Sequence, residues 1–314
     1  MDITEFAQKI KDVLNNIEKV VIGKTHVIEL LLTALLADGH VLLEDVPGVG
    51  KTLMAKAIAR SLDLEFKRIQ FTPDMLPQDV LGINIYNQKT EDFVFNAGPI
   101  MTNILLADEI NRATPRTQSS LLEAMEERQF TVDGVTRKLK APFLVIATQN
   151  PVEMEGTFPL PEAQLDRFIM KIDMGYPQLE EEKLILRRFG MENPLDEIKP
   201  VLNGMELLAM REWVKKVNVD ESLENYMLTI VRETRNHSAV KLGASPRASL
   251  LFYRCVKAFA AIKGRDYVIP DDIKYLAKPV LNHRLVLNYE SVIKNYKPVD
   301  VLDDILKNTP VPVE

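Results

Sequence analysis

At 314 residues, 46% of them hydrophobic, the chain is long enough to bury two domain cores. No apolar run approaches the ~20 residues of a membrane-spanning helix, and the acidic start Met1-Asp2-Ile3-Thr4-Glu5 lacks a signal peptide's basic residues, so a cytoplasmic protein is expected. A formal charge of −6 argues against a dedicated nucleic-acid surface, and a single cysteine, Cys255, excludes an internal disulfide and a thiolate zinc site.

In chain order, residues 4–37 read as helical, with Phe6, Ile10, Val13, Leu14 and Ile17 at three-to-four spacing. From 41 to about 173, apolar runs at 41–43, 66–69, 104–107, 143–148 and 169–172 alternate with helical patterns. That alternation predicts an α/β core with a five-stranded parallel sheet covered on both faces. Two hairpins are predicted within it. One spans 83–95, and the other carries Asp133-Gly134 between β-prone runs over 130–139. Tyr176-Pro177 marks a break, after which helical patterns dominate at 180–189, 205–217, 222–236, 245–263 and 271–283. The expected organisation is a core over 1–176 and an all-helical domain over 177–314, with Cys255 inside an apolar helix.

The run Val41-Leu42-Leu43-Glu44-Asp45-Val46-Pro47-Gly48-Val49-Gly50-Lys51-Thr52 passes from an apolar strand through a glycine turn into a helix. Inward-facing N–H groups and a helix N-terminus suit a phosphate. Lys51 would reach the β- and γ-phosphates, and the Thr52 hydroxyl would bind Mg²⁺. Glycine at 48 and 50 permits close backbone approach. Asp45 stands where the general pattern has glycine, so a chance Gly-Lys-Thr turn is the competing reading.

About 55 residues further on, Asn103-Ile104-Leu105-Leu106-Ala107-Asp108-Glu109 is an apolar strand ending in two carboxylates. Asp108 would hold water bound to Mg²⁺, and Glu109 would polarise the water that attacks the γ-phosphate. Alone, the pair would be an acidic turn; after the phosphate loop it points to a nucleoside triphosphatase. Asn150, ending the strand 143–149, is placed to hold the attacking water or sense the γ-phosphate, or else to start a turn before Pro151. Arg167 ends a short helix and is either a solvated cation or a finger entering a neighbour's site. Ser245-Pro246 is a good helix start, which puts Arg247 in the first turn. A cation there opposes the helix dipole unless an anion lies nearby.

Together with Asp108-Glu109-Ile110-Asn111-Arg112-Ala113, Gln118-Ser119-Ser120-Leu121-Leu122-Glu123-Ala124-Met125-Glu126-Glu127, Ala147-Thr148-Gln149-Asn150-Pro151, the run from Glu155 to Phe168 and Ser245-Pro246-Arg247, these motifs resemble the MoxR family of AAA+ ATPases, in the clade with a helix-2 insert. The resemblance covers nearly the whole chain, and Asp45 is similar to the family's own form of phosphate loop. It implies ATP and Mg²⁺ as cofactors, Asn150 as first sensor, Arg167 as arginine finger and Arg247 as second sensor, acting from the chain's own lid. Val21-Ile22-Gly23 would pack on adenine. The nucleotide contacts would further include Pro47, Gly48, Val49, Gly50, Lys51, Thr52, Leu53 and Asp108. It also implies a homo-hexamer, a partner with a von Willebrand factor A domain, and a protein client whose maturation or metal insertion the ATPase assists. A nucleic-acid motor using Arg137, Lys138 and Lys140 is the alternative, and a non-catalytic nucleotide-gated scaffold is a third.

Overall fold

The computed structural model describes residues 1–44, 48–150, 156–189 and 194–312. Helix α1 (Ile3–Glu18) is capped by the Asp2 carboxylate, which accepts from the Glu5 N–H at 2.8 Å, and it buries Phe6, Ile10, Val13 and Ile17. Helix α2 (Thr25–Leu36) is apolar almost all round and is buried along nearly its full length, as such a helix must be.

The sheet strands are β1 (Val41–Glu44), β2 (Phe66–Gln70), β5 (Ile104–Asp108), β8 (Leu144–Gln149) and β9 (Met170–Ile172), with β3 (Gly82–Asn87), β4 (Asp92–Ala97), β6 (Gln129–Val132) and β7 (Val135–Lys138) forming the two hairpins. Between them lie α3 (Lys51–Ser61), α4 (Pro77–Leu81), α5 (Pro115–Glu127) and α6 (Glu162–Leu165). The five strands pair in parallel in the order β2-β5-β8-β1-β9, as expected from their apolar runs. The register sets Gln70 beside Asp108, Leu43 beside Thr148 and Glu44 beside Gln149. All the candidate residues on strands therefore reach the same C-terminal edge.

Buried His40 ties this layer together. Its Nδ1 accepts the Val145 N–H at 2.9 Å, and its Nε2 faces the Met125 carbonyl at 3.1 Å. Burial, reinforced by Arg128 and Arg211, pushes its pKa well below the usual histidine value, so the ring is neutral.

Beyond the sheet come α7 (Leu179–Phe189), α8 (Gly204–Val214), α9 (Glu221–Asn236), β10 (Val240–Leu242), α10 (Pro246–Ile262), α11 (Pro270–Leu281), β11 (Val286–Leu287), α12 (Tyr289–Ile293) and α13 (Pro298–Asn308). The small antiparallel β10–β11 pair and α12 and α13 go beyond the expected helices. The signal for α13 was present: Pro298 at its start, then Val301, Leu302 and Ile305 buried on one face. Helix α10 is the hub of this half, packing on α1, α2, α8, α9 and α11. Cys255 is fully buried within it, and burial pushes its thiol pKa up. One continuous cluster of buried residues runs from Phe6 through the sheet to Ile305, crossing Tyr176-Pro177.

The two hairpins pack on each other. Asn84 Nδ2 donates to Asp133 Oδ2 at 2.8 Å, and the Arg137 guanidinium lies 3.7 Å from the centre of the Phe95 ring. Asp133 and Gly134 both adopt positive φ (50° and 76°), the conformation a two-residue hairpin turn requires.

Candidate active site

Gly50 caps α3 at φ 91°, Gly48 lies at φ 88°, and a Cβ at either position would meet only open space. The left-handed backbone at both positions favours glycine. Among the described residues no side chain caps α3, and the N-terminal end of a helix suits an anion. Lys51 opens the helix, with Thr52 and Leu53 following it, all three half-buried. Pro47 and Asp45 lie outside the described residues.

Beside the loop is a cavity of about 410 Å³ lined by Val20, Val21, Ile22, Gly48, Val49, Gly50, Leu53, Tyr176, Pro177, Glu182, Ile185 and Phe189. Its size and apolar lining suit a flat base. The walls are braced by buried Lys24, whose Nζ donates to the carbonyls of Met174 (2.7 Å), Gly175 (3.0 Å) and Tyr176 (3.1 Å). Gly23 sits at φ 72°, and a Cβ there would come within 2.1 Å of Glu181. The link between α1 and α2 is thus pinned against the start of α7.

At the sheet edge, Asp108 Oδ1 accepts from Thr148 Oγ1 at 2.6 Å, and its Oδ2 pairs with Arg68 at 2.7 Å. The Thr148 hydroxyl in turn accepts the Glu109 N–H at 2.8 Å. Glu109 adopts φ 56°, ψ 51°, a left-handed backbone uncommon for glutamate and of the kind that concentrates at functional sites. Its Oε2 accepts from Gln70 Nε2 at 2.7 Å and pairs with Arg112 at 3.2 Å. Asn150 is buried directly after β8. Gln118, buried on α5, donates through Nε2 to the carbonyls of Ile110, Ala113 and Phe158, which fixes the turn after Glu109.

Arg167 and Arg247 do not line the cavity beside the phosphate loop. The structure instead brings them together on Glu126, at 2.9 Å to Oε2 and 2.6 Å to Oε1 respectively. Asp166, next to Arg167, accepts from Ser245 Oγ at 2.9 Å and from Arg284 Nε at 2.7 Å.

Sequence reasoning missed Lys24, Gln70, Glu126, Asp166 and Arg284. Thr148, Glu126 and Asp166 lie inside recognisable motifs, but nothing local distinguishes Lys24 or Arg284 among the 39 lysines and arginines.

Comparison with known proteins agrees with this geometry. Residues 40–170 match the model of the ATPase family associated with various cellular activities (AAA), and residues 232–305 match the AAA lid domain. The chain is 50% identical to the uncharacterized protein YeaC of Bacillus subtilis over 301 residues, covering 96% of this chain and 94% of that one. It is 44% identical to the chaperone MoxR1 of Mycobacterium tuberculosis over 305 residues, covering 94% and 80%. The crystal structure of a candidate ATPase from Cytophaga hutchinsonii superposes with a TM-score of 0.93 at 42% identity, covering 99% of this chain and 97% of that one. With its phosphate loop, paired carboxylates and lid, this ATP-hydrolysing chain belongs to the MoxR family of AAA+ ATPases.

Proposed function

We propose that the protein uses Mg²⁺-dependent ATP hydrolysis to remodel or mature protein complexes, as a chaperone working in the cytoplasm with a von Willebrand factor A domain partner. The left-handed glycines at 48 and 50 leading into the N-terminus of α3 fit a triphosphate. Lys51 would neutralise phosphate charge, Thr52 and Asp108 would hold the Mg²⁺ that screens it, and Val21, Ile22 and Gly23 would flank the base. Glu109 would orient the attacking water with Asn150 beside the γ-phosphate. Residues 177–314 would act as a lid on the core formed by 1–176.

We read the active form as a ring, in keeping with a hexamer, and because Arg167 and Arg247 share Glu126 we assign the two to one and the same γ-phosphate, that of a neighbour. Both would then act on a neighbour's γ-phosphate, which makes the second sensor a contribution from the adjoining subunit.

The observation that carries the protein-client reading is the β3–β4 hairpin. It exposes Ile85, Tyr86, Phe93 and Val94, all at least half exposed, with Tyr86 and Phe93 in edge-to-face contact at 5.4 Å. Such an apolar tip suits protein contact. A nucleic-acid motor needs free cations there, yet Arg137 is engaged with Phe95 and with the Val132 and Val135 carbonyls.

Pull-down from the native cell with Glu109→Gln, which holds the ATP state, tests the reading. A von Willebrand factor A domain protein and a client complex captured with ATP, and lost in Phe93→Ser with Tyr86→Ser, are expected. Salt-dependent stimulation of the ATPase by DNA, lost in Arg137→Ala with Lys138→Ala, would contradict it.

A further inference from the structure

Glu126, in the last turn of α5, sets one carboxylate oxygen on each of two arginines, Oε2 to Arg167 Nε at 2.9 Å and Oε1 to Arg247 Nη1 at 2.6 Å. The three side chains come from α5, from the turn after α6 and from the first turn of α10, and each is about one-third exposed. An ion triad this open adds little to folding stability, so stability does not explain it. Arg247 also sits at a helix N-terminus, where a cation is disfavoured without an anion beside it. Glu126 supplies that anion.

The surrounding bonds hold this arrangement in place. Asp166 accepts from Ser245 Oγ at 2.9 Å, and that same hydroxyl caps α10 by accepting the Ala248 N–H at 3.2 Å. Arg284 is buried against Asp166 and donates to the Phe168 carbonyl at 2.6 Å, fastening the turn that carries Arg167. On the third side, His40 fixes the Met125 carbonyl, one residue before Glu126. The backbones bearing all three charges are therefore tied down, and Glu126 sets the spacing of the two guanidinium groups.

We propose that Glu126 is a positioning residue for hydrolysis, presenting Arg167 and Arg247 as a pre-spaced pair to the γ-phosphate held by the next subunit. The proposal rests on the reading that these arginines act on a neighbour's nucleotide. Among the described residues neither guanidinium has an ion-pair partner besides Glu126, whose nearest contacts are Arg167 Nε and Arg247 Nη1, and a guanidinium carries five N–H donors, enough to meet phosphate oxygens as well. Without Glu126 two like charges would drift apart, and two long side chains would have to be ordered during turnover. The phosphate loop of the same chain is untouched, so the loss falls on turnover and not on nucleotide affinity.

The test measures kcat, affinity for a fluorescent ADP analogue and ring mass for Glu126→Ala, Glu126→Gln, Arg247→Ala and the Glu126→Ala/Arg247→Ala double variant. Expected are a fall in kcat of about tenfold or more for Glu126→Ala, a smaller fall for Glu126→Gln, unchanged affinity and ring mass, and a double variant much less impaired than the product of the single losses. Unchanged or raised kcat, multiplicative losses in the double variant, or a failure of ring assembly would each overturn the proposal. Mixing Lys51→Ala with Arg167→Ala reports separately on the underlying reading. Restored activity there alongside full turnover by Glu126→Ala rejects the role of Glu126 alone, and no restored activity rejects the reading beneath it.

Discussion

The Gln70 side-chain amide donates to Glu109 Oε2 at 2.7 Å, bridging the ends of adjacent strands β2 and β5. The carboxylate assigned to the attacking water is thus held in place by a residue outside every recognisable motif. Arg112 pairs with the same oxygen at 3.2 Å. Losing one of the two contacts should let the carboxylate wander. Gln70→Ala is expected to lower kcat by about three- to tenfold, within the contribution of an oriented base, with nucleotide affinity unchanged. Steady-state phosphate release checks this, and undiminished turnover would show that Gln70 does not orient Glu109.

Lys51 and Glu109 should separate binding from chemistry. Lys51 meets phosphate charge already in the ground state, whereas Glu109 matters only on the way to the transition state. Equilibrium binding of a fluorescent ATP analogue should be abolished in Lys51→Ala and preserved in Glu109→Gln, while neither variant turns over. Near-normal turnover by Glu109→Gln would remove Glu109 from the mechanism.

Lys24 tests the brace behind the base cavity. Its ammonium satisfies three successive carbonyls at 174–176, and Lys24→Met would leave them without that donor. A stability loss of about 1–3 kcal/mol by urea unfolding is expected, together with a raised KM for ATP because Tyr176 lines the cavity. Stability loss with unchanged KM would restrict Lys24 to folding.

Acid should destabilise the fold before carboxylates titrate. His40 and His283 both have pKa values pushed well below the usual range, first by burial and then by Arg128 and Arg284 respectively. The unfolded chain, with histidines near 6.5, therefore binds more protons than the native one as pH falls through that value. The stabilisation is fully present above about pH 7 and declines below about 6.5, by up to ~1.4 kcal/mol per pH unit for each ring. Urea midpoints at pH 7.5 and 5.5 should differ accordingly, and a flat profile would contradict the neutral assignment.

The parts of this molecule legible in sequence were those whose signal is local. Buried parallel strands read as apolar runs, so β1, β2, β5, β8 and β9 were all anticipated, as was the strand–turn–helix at Gly48 to Thr52. The positions of the candidate residues at the ends of those strands came with them. What stayed hidden depends on partners far apart in the chain: Lys24 bonds 150 residues away, Arg284 meets Asp166 across 118, and Arg247 meets Glu126 across 121. No spacing pattern encodes such contacts. For that reason the meeting of Arg247 with Arg167 on Glu126 was not legible, and the short β10–β11 pair carried a signal too brief to stand out.

The central claim is that each ATP site is completed by the neighbouring subunit, and mixing two inactive variants tests it most directly. Lys51→Ala lacks a working phosphate loop but keeps Arg167 and Arg247, whereas Arg167→Ala keeps the loop. In mixed rings some junctions pair an intact loop with an intact Arg167, so phosphate release should reappear and scale with the fraction of such junctions. If native mass spectrometry confirms mixed rings and no mixture releases phosphate above either variant alone, completion by the neighbour is contradicted.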